Sequence, residues 1–292
     1  MPFTMIVGDI HCKQKLIFPI LDRYLENYNI NKIVFLGDYT DEWFVDNEML
    51  LDSLDYHIKW CANHNNVEIV HLCGNHDYYY LDIPYRVNSC SGHNQEIQEE
   101  IRERLDKLNL KISTVVYNYL CTHAGITQHY YNRNFKTSDT AQDVCNKLNS
   151  MFNEYDVELE RCSFVRGGRD RVSGPLWADR SETLPSDYNK CIQINQISAH
   201  TPSSTVYRVG FEDSHIFYCD TFSLNRYLSP LGDGSVLLVD EAIGSTKTIK
   251  PEDVGLPEYR QLVSDYFTSV KASVWNNLVN ILNNGISSNT GK

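Results

Sequence analysis

The sequence predicts an α/β protein built on parallel βαβ units, and three observations predict it. Short apolar runs of strand length recur at Phe3 to Val7, Ile33 to Leu36, Val67 to Leu72, Val115 to Cys121 and Cys191 to Ile197. Between the first three, apolar residues fall at helical spacing. Each run also leads into a short polar block: Gly8-Asp9-Ile10-His11, Gly37-Asp38-Tyr39-Thr40-Asp41, Gly74-Asn75-His76-Asp77, Thr122-His123-Ala124-Gly125 and Ala199-His200-Thr201-Pro202. In open α/β sheets ligands bind beyond the carboxyl ends of the strands, so the blocks define one candidate site.

Taken in order, Leu16, Ile17, Ile20, Leu21, Tyr24 and Leu25 predict a helix after the first block, and Met49, Leu50, Leu54, Ile58 and Trp60 predict a second. Right-handed crossovers then make the first three strands parallel. Residues 78–112 carry Tyr78, Tyr79 and Tyr80, then Pro84, then Ile97, Ile101, Leu105 and Leu108 at helical intervals. They predict a small cap beside the site, with the tyrosines either packed or stacked on substrate. Residues 138–160 read as a helix, and residues 161–180, rich in Gly and Arg, as a loop. Short strands across 191–240 predict an antiparallel portion of a second sheet. Beyond Glu241, Pro251 and Pro257 punctuate a linker, and Leu262, Tyr266, Val270, Trp275, Leu278, Val279 and Leu282 predict a helix packed on the core. The organisation expected is a catalytic domain over residues 1–240 and a helical extension over 241–292.

The whole chain excludes several classes. Its 292 residues are 42% hydrophobic and carry a net charge of -12, with a mean hydropathy of -0.40 and a pI near 5.2. Such acidity opposes an extended hold on nucleic acid, which needs a broad basic surface. No apolar run approaches the ~20 residues of a membrane span, and the N-terminus enters strand-like sequence without the regions of a signal peptide. Nine irregularly spaced cysteines, none in a C-x-x-C pair, predict reduced thiols and a cytoplasmic location.

The polar blocks hold carboxylates, an amide and imidazoles, donors suited to two divalent cations. Asp9 and His11, two apart, can serve a first cation. Asp38 can bridge both. Asn75, His123 and His200 supply the second. Two such ions with Asp9 and Asp38 as the only carboxylate ligands leave a net positive site that attracts phosphate, and a water shared by both becomes a nucleophile near neutral pH. His76 can then protonate the leaving oxygen as a general acid, held in orientation by Asp41. His71, His93, His129 and His215 read as structural or exposed, and the lack of any spaced cysteine cluster argues against sulfur ligands. Mixed oxygen and nitrogen donors favour manganese, with iron or zinc as alternatives.

With these residues in place, the chain resembles the calcineurin-like metallophosphoesterase superfamily, on the motifs GDIH, GDYTD, GNHD, THAG and AHTP in order. The resemblance implies a four-layer α/β/β/α sandwich with mixed sheets, a dinuclear site at the sheet edges and the ligand roles above. Where several branches end in G-H-x-H, this chain has Ala199-His200-Thr201-Pro202 and so lacks one ligand. It is most similar to the branch holding serine/threonine protein phosphatases and diadenosine tetraphosphatase, which also share a Trp-bearing segment like Ser173 to Arg180 and a closing strand like that before Asp220-Thr221. The implied function is hydrolysis of phosphomonoesters on phosphoproteins or small esters. The alternatives are a dinucleoside polyphosphate hydrolase and a non-catalytic binding scaffold.

One position departs from the branch. Where it carries Arg after the Asp of the second block, this chain has Glu42, followed by Trp43, and a carboxylate there would repel phosphate. Arg180 and Arg166 are the expected replacements, with Asn75 also touching substrate; Arg169, Arg171 and Arg86 are further candidates.

Overall fold

Alternation within the first strand sets the layers. In β1 (Phe3–Val7) the side chains of Met5 and Val7 enter one core, shared with helices, while Ile6 enters another, shared with a second sheet. The computed structural model describes residues 2–43, 45–81, 90–184, 193–210 and 214–270.

The order is β1, α1 (Gln14–Asn27), β2 (Ile30–Phe35), α2 (Asn47–Asn63), β3 (Glu68–His71), α3 (Asn75–Tyr78), α4 (Gln98–Asp106), β4 (Ser113–Val116), β5 (Tyr119–Thr122), α5 (Gln128–Asn134) and α6 (Ala141–Asn153). Then come α7 (Arg180–Thr183), β6 (Asn195–Ser198), β7 (Tyr207–Gly210), β8 (His215–Tyr218), β9 (Val236–Asp240) and β10 (Thr246–Ile249). The first sheet runs β10-β9-β1-β2-β3 and the second β4-β5-β6-β8-β7. β1, β2 and β3 pair in parallel, as the crossover rule requires.

Between the sheets, Ile6, Val34, Leu36, Val70 and Leu72 meet Cys121, Ile197, Ala199, Phe217 and Cys219. On the outer face of the first sheet, α1 and α2 bury Leu16, Ile17, Phe18, Leu54 and Trp60. On that of the second, α5 and α6 bury Tyr130, Val144 and Leu148. The result is the four-layer α/β/β/α sandwich with mixed sheets. Side-chain caps open α2 and α6: the Asp46 carboxylate accepts from the Met49 amide at 2.9 Å, and Thr140 and Asp143 cap α6 reciprocally.

Three expectations change. The apolar run Val115 to Cys121 is a hairpin, β4 against β5, because Tyr117 takes a left-handed turn conformation (φ 56). The 191–240 segment is not uniformly antiparallel: β6 pairs in parallel with β5 and β8, and β9 crosses back to lie antiparallel to β1. Near the C-terminus residues 259–270 are helical, with Tyr259, Val263 and Phe267, rather than Leu262 and Tyr266, fully in the core. Trp275 to Leu282 lie outside the described residues, as do Pro84 and Arg86. Tyr78, Tyr79 and Tyr80 are fully buried, so they pack rather than stack on substrate. Among the described residues no helix is long and apolar enough to cross a membrane, and eight cysteines are free.

Candidate metal centre

The polar blocks converge at one edge of the two sheets. Asp9 and His11 follow β1, Asp38 and Asp41 follow β2, Asn75 and His76 open α3 after β3, His123 follows β5 and His200 follows β6. Four of these residues, His11, Asp38, Asp41 and His200, hold positive φ (44, 55, 54 and 65). Non-glycine residues rarely accept that conformation, and it clusters where function over-determines the backbone. Crowding explains one glycine: a Cβ on Gly74 would stand 2.0 Å from an Asp38 carboxylate oxygen.

Two donor clusters share Asp38. In one, ligand atoms of Asp9, His11 and Asp38 lie within 4.8 Å of one another; in the other, those of Asp38, His123 and His200 do. His11 Nε2 stands 3.5 Å and His123 Nε2 3.4 Å from the same Asp38 oxygen, Oδ2. Asn75 Oδ1 is 3.0 Å and His200 Nδ1 3.1 Å from His123 Nε2. Backbone carbonyls fix the ring tautomers: His123 donates Nδ1–H to Leu36 at 2.9 Å, and His11 donates Nδ1–H to Asp41 at 2.9 Å. Each then aims an Nε2 lone pair inward, the arrangement that outer partners impose on metal-binding imidazoles.

The electrostatics of the protein groups alone are unbalanced. Burial, then the nearby Asp220 carboxylate, push Asp9 well above the usual range. Asp38, despite burial, is held well below it by His123 and His76. Burial opposes charge on His123, but Asp38 and Asp9 raise it to about 9; burial and that same His123 push His200 well down. His200 Nε2 is buried without a hydrogen-bond partner. Crowded carboxylates and an orphaned imidazole nitrogen are what cations would compensate, so the donor set fits two divalent ions.

Several neighbours were not legible from the motifs. Asp77 accepts from the amides of Asp38 (2.7 Å), Tyr39 (2.8 Å) and Gly74 (2.9 Å), tying the second block to the third. The Tyr80 hydroxyl donates to Asp41 Oδ1 at 2.6 Å, while Asp41 Oδ2 stands 3.0 Å from His76 Nδ1. Asp220 is fully buried beside Asp9. Its oxygens lack a well-formed hydrogen bond, although the Ser223 hydroxyl stands close enough to favour its charge. Asp220 adds a buried carboxylate beside Asp9, and lowers the net positive charge two cations would leave.

The cavity over the centre measures about 350 Å³ and includes Asp9, His11, Asp41, Glu42, Trp43, His76, Arg166, His200 and Asp220 in its wall. Arg166 reaches it, held by Asp179 at 2.9 Å and the Thr201 hydroxyl at 2.5 Å. Arg180 is not in that wall. It donates to the Pro202 carbonyl at 3.3 Å and lies over the Tyr207 ring. Arg171 lines a separate depression. Glu42 is not a bare negative charge as its position suggested, because the buried Lys13 ammonium pairs with it at 2.8 Å.

The two-sheet fold and the shared carboxylate define a phosphoric ester hydrolase of the metal-dependent kind. The chain belongs to the calcineurin-like phosphoesterase family, whose sequence pattern matches residues 4–202. No curated protein matches it significantly. Among solved structures it is similar to a cold-active protein tyrosine phosphatase (12% identity, 85% of this chain and 78% of that chain covered, TM-score 0.49). It is likewise similar to a protein serine/threonine phosphatase from Saccharomyces cerevisiae (16%, 85% and 80%, TM-score 0.46), and to a dimetal phosphatase from Danio rerio (12%, 85% and 98%, TM-score 0.35).

Proposed function

We propose that the protein is a dinuclear-metal phosphomonoesterase acting on phosphoserine, phosphothreonine or comparable esters, with manganese as its working cation, in a cytoplasmic setting consistent with its free thiols. The observation that carries this reading is that Asp38 Oδ2 is shared by both donor clusters while Asp38 Oδ1 accepts the His76 amide at 2.9 Å. Asp9, His11 and Asp38 would hold one cation, and Asp38, Asn75, His123 and His200 the other. Bound there, the cations would polarise the phosphoryl oxygens and acidify water.

The chain's own groups do the rest. His76, one edge in the cavity, carries the proton to the departing oxygen. Asp41 orients it and keeps it charged: burial opposes protonation, but Asp38 and the Asp41 hydrogen bond raise His76 well above the ordinary imidazole value. Arg166 and the Asn75 amide bind the substrate phosphate in place of the arginine that Glu42 replaces. Neutralisation of Glu42 by Lys13 removes the repulsion expected of a lone carboxylate.

A second reading, a dinucleoside polyphosphate hydrolase, draws on Trp43, which is 76% exposed at the cavity wall and can stack on a base. Chelator-stripped protein reloaded with manganese, iron or zinc is assayed on para-nitrophenyl phosphate, phosphopeptides and diadenosine tetraphosphate. The proposal expects manganese-dependent turnover with phosphopeptides preferred. Preference for the dinucleotide selects the second reading, and inactivity with every metal selects a binding scaffold.

A further inference from the structure

A second group of ligand-type side chains lies under the first sheet, away from the phosphoesterase centre. His57 and Cys61, four residues apart on α2, present the same helix face, and His71 ends β3 opposite them. His57 Nε2 stands 3.0 Å from His71 Nε2, and Cys61 Sγ 3.6 Å from that same nitrogen. Donor atoms of all three residues fall within 4.8 Å of one another. We propose that His57, Cys61 and His71 form a separate metal site for a borderline cation of the Zn²⁺ class.

A hydrogen-bonded histidine pair does not account for this arrangement. The His71 ring is hydrogen-bonded to the Leu108 backbone. With Nε2 facing His57 and Cys61, that bond falls to Nδ1–H, which leaves Nε2 a single in-plane lone pair. Both the His57 ring and the Cys61 thiol are directed at that one acceptor, and it can satisfy only one of them. A cation accepts all three lone pairs together.

The spacings suit it. Tetrahedral zinc, with Zn–N near 2.0–2.1 Å and Zn–S near 2.3 Å, sets sulfur and nitrogen about 3.6 Å apart and two nitrogens about 3.3 Å apart. Burial keeps both imidazoles in the neutral form that ligates. Phe18, Phe35 and Tyr39 ring His57 at centroid distances of 4.8, 5.2 and 5.1 Å, giving the site an apolar wall. Cys61, only partly buried, marks the way in and leaves the fourth coordination position to water. A thiolate with two imidazoles discriminates against manganese and magnesium, so this site and the phosphoesterase centre load different metals. Its effect is to fasten the C-terminal half of α2 to the end of β3.

The test is a Co²⁺ titration of the chelator-stripped full chain, read by the thiolate-to-cobalt charge-transfer absorption, a signal the oxygen and nitrogen donors of the phosphoesterase centre do not give. The expected band has the amplitude of one thiolate, persists in Asp38→Asn and in Cys90→Ser, which removes the thiol 3.6 Å from Asp41 Oδ2, and disappears in Cys61→Ser. Absence of the band from the wild type, or its loss in Cys90→Ser instead, overturns the proposal. Should Cys61→Ser fail to fold, the wild type decides: excess Zn²⁺ must slow alkylation of Cys61, followed by peptide mass spectrometry, at least tenfold, and an unchanged rate overturns the proposal equally.

Discussion

His76 Nδ1 stands 3.0 Å from Asp41 Oδ2, and the other oxygen of that carboxylate is taken by the Tyr80 hydroxyl. Asp41 is thereby fixed between a buried phenol and the imidazole it orients. With para-nitrophenolate, which leaves without a proton, His76→Ala costs little; with an alkyl phosphate it lowers kcat about 10²-fold or more. Equal losses on the two substrates would remove the general-acid role.

The sign of the pH effect follows. A general acid works protonated, so turnover falls as pH rises through the His76 pKa, which Asp38 and Asp41 hold above the ordinary value. Asp41→Asn removes one of those supports. The basic limb of the kcat profile therefore moves to lower pH, and an unmoved limb in that variant would contradict the pairing.

Asp38 stands in both donor clusters. Asp38→Asn leaves one neutral oxygen where a carboxylate faced two imidazoles, and elemental analysis of the variant shows bound metal falling for both positions. Unchanged metal content would exclude the shared role.

The Lys13–Glu42 pair is almost wholly buried. Removing one partner strands the other charge, and Lys13→Met costs about 3–5 kcal/mol in urea unfolding, whereas Lys13→Met with Glu42→Leu recovers most of the loss. Additive losses would show that the pair is solvated.

His71 is held by burial at about 4, and burial together with His71 also lowers His57 well below its ordinary value. Groups whose folded pKa is depressed bind protons in the unfolded chain first. Stability of the chelator-stripped protein is thus full above the unfolded value of ~6.5 and declines as pH falls toward 4, by on the order of 3 kcal/mol for His71. His71→Gln flattens that slope between pH 7 and pH 5; an unaltered slope places the dependence elsewhere.

The sequence carried the strands and the donors because a buried parallel strand is a continuous apolar run and its carboxyl end is where a donor must stand. Asp9, His11, Asp38, Asn75, His123 and His200 were legible on that ground as candidate donors, and the fold brings them together. Lys13, Asp77, Tyr80 and Asp220 were not, since each acquires its role from a partner in another segment: Glu42, the Asp38 amide, Asp41 and Asp9. The 115–121 hairpin was missed because, in its two-residue turn Tyr117-Asn118, the left-handed backbone falls on Tyr117 and not on Gly or Asn. His71 read as structural and His57 belongs to no motif, because each occupies an inward position of a regular element, and only their meeting is unusual.

The placement of β9 between β10 and β1 has a consequence for synthesis. β1 leaves the ribosome long before its second neighbour in the sheet, Val236–Asp240. Until that late segment emerges, β1 keeps an open hydrogen-bonding edge with apolar flanks, a template for stray pairing. Nascent chains halted before residue 236 should therefore lean on chaperones, whereas chains extended beyond it can shut the sheet and release them.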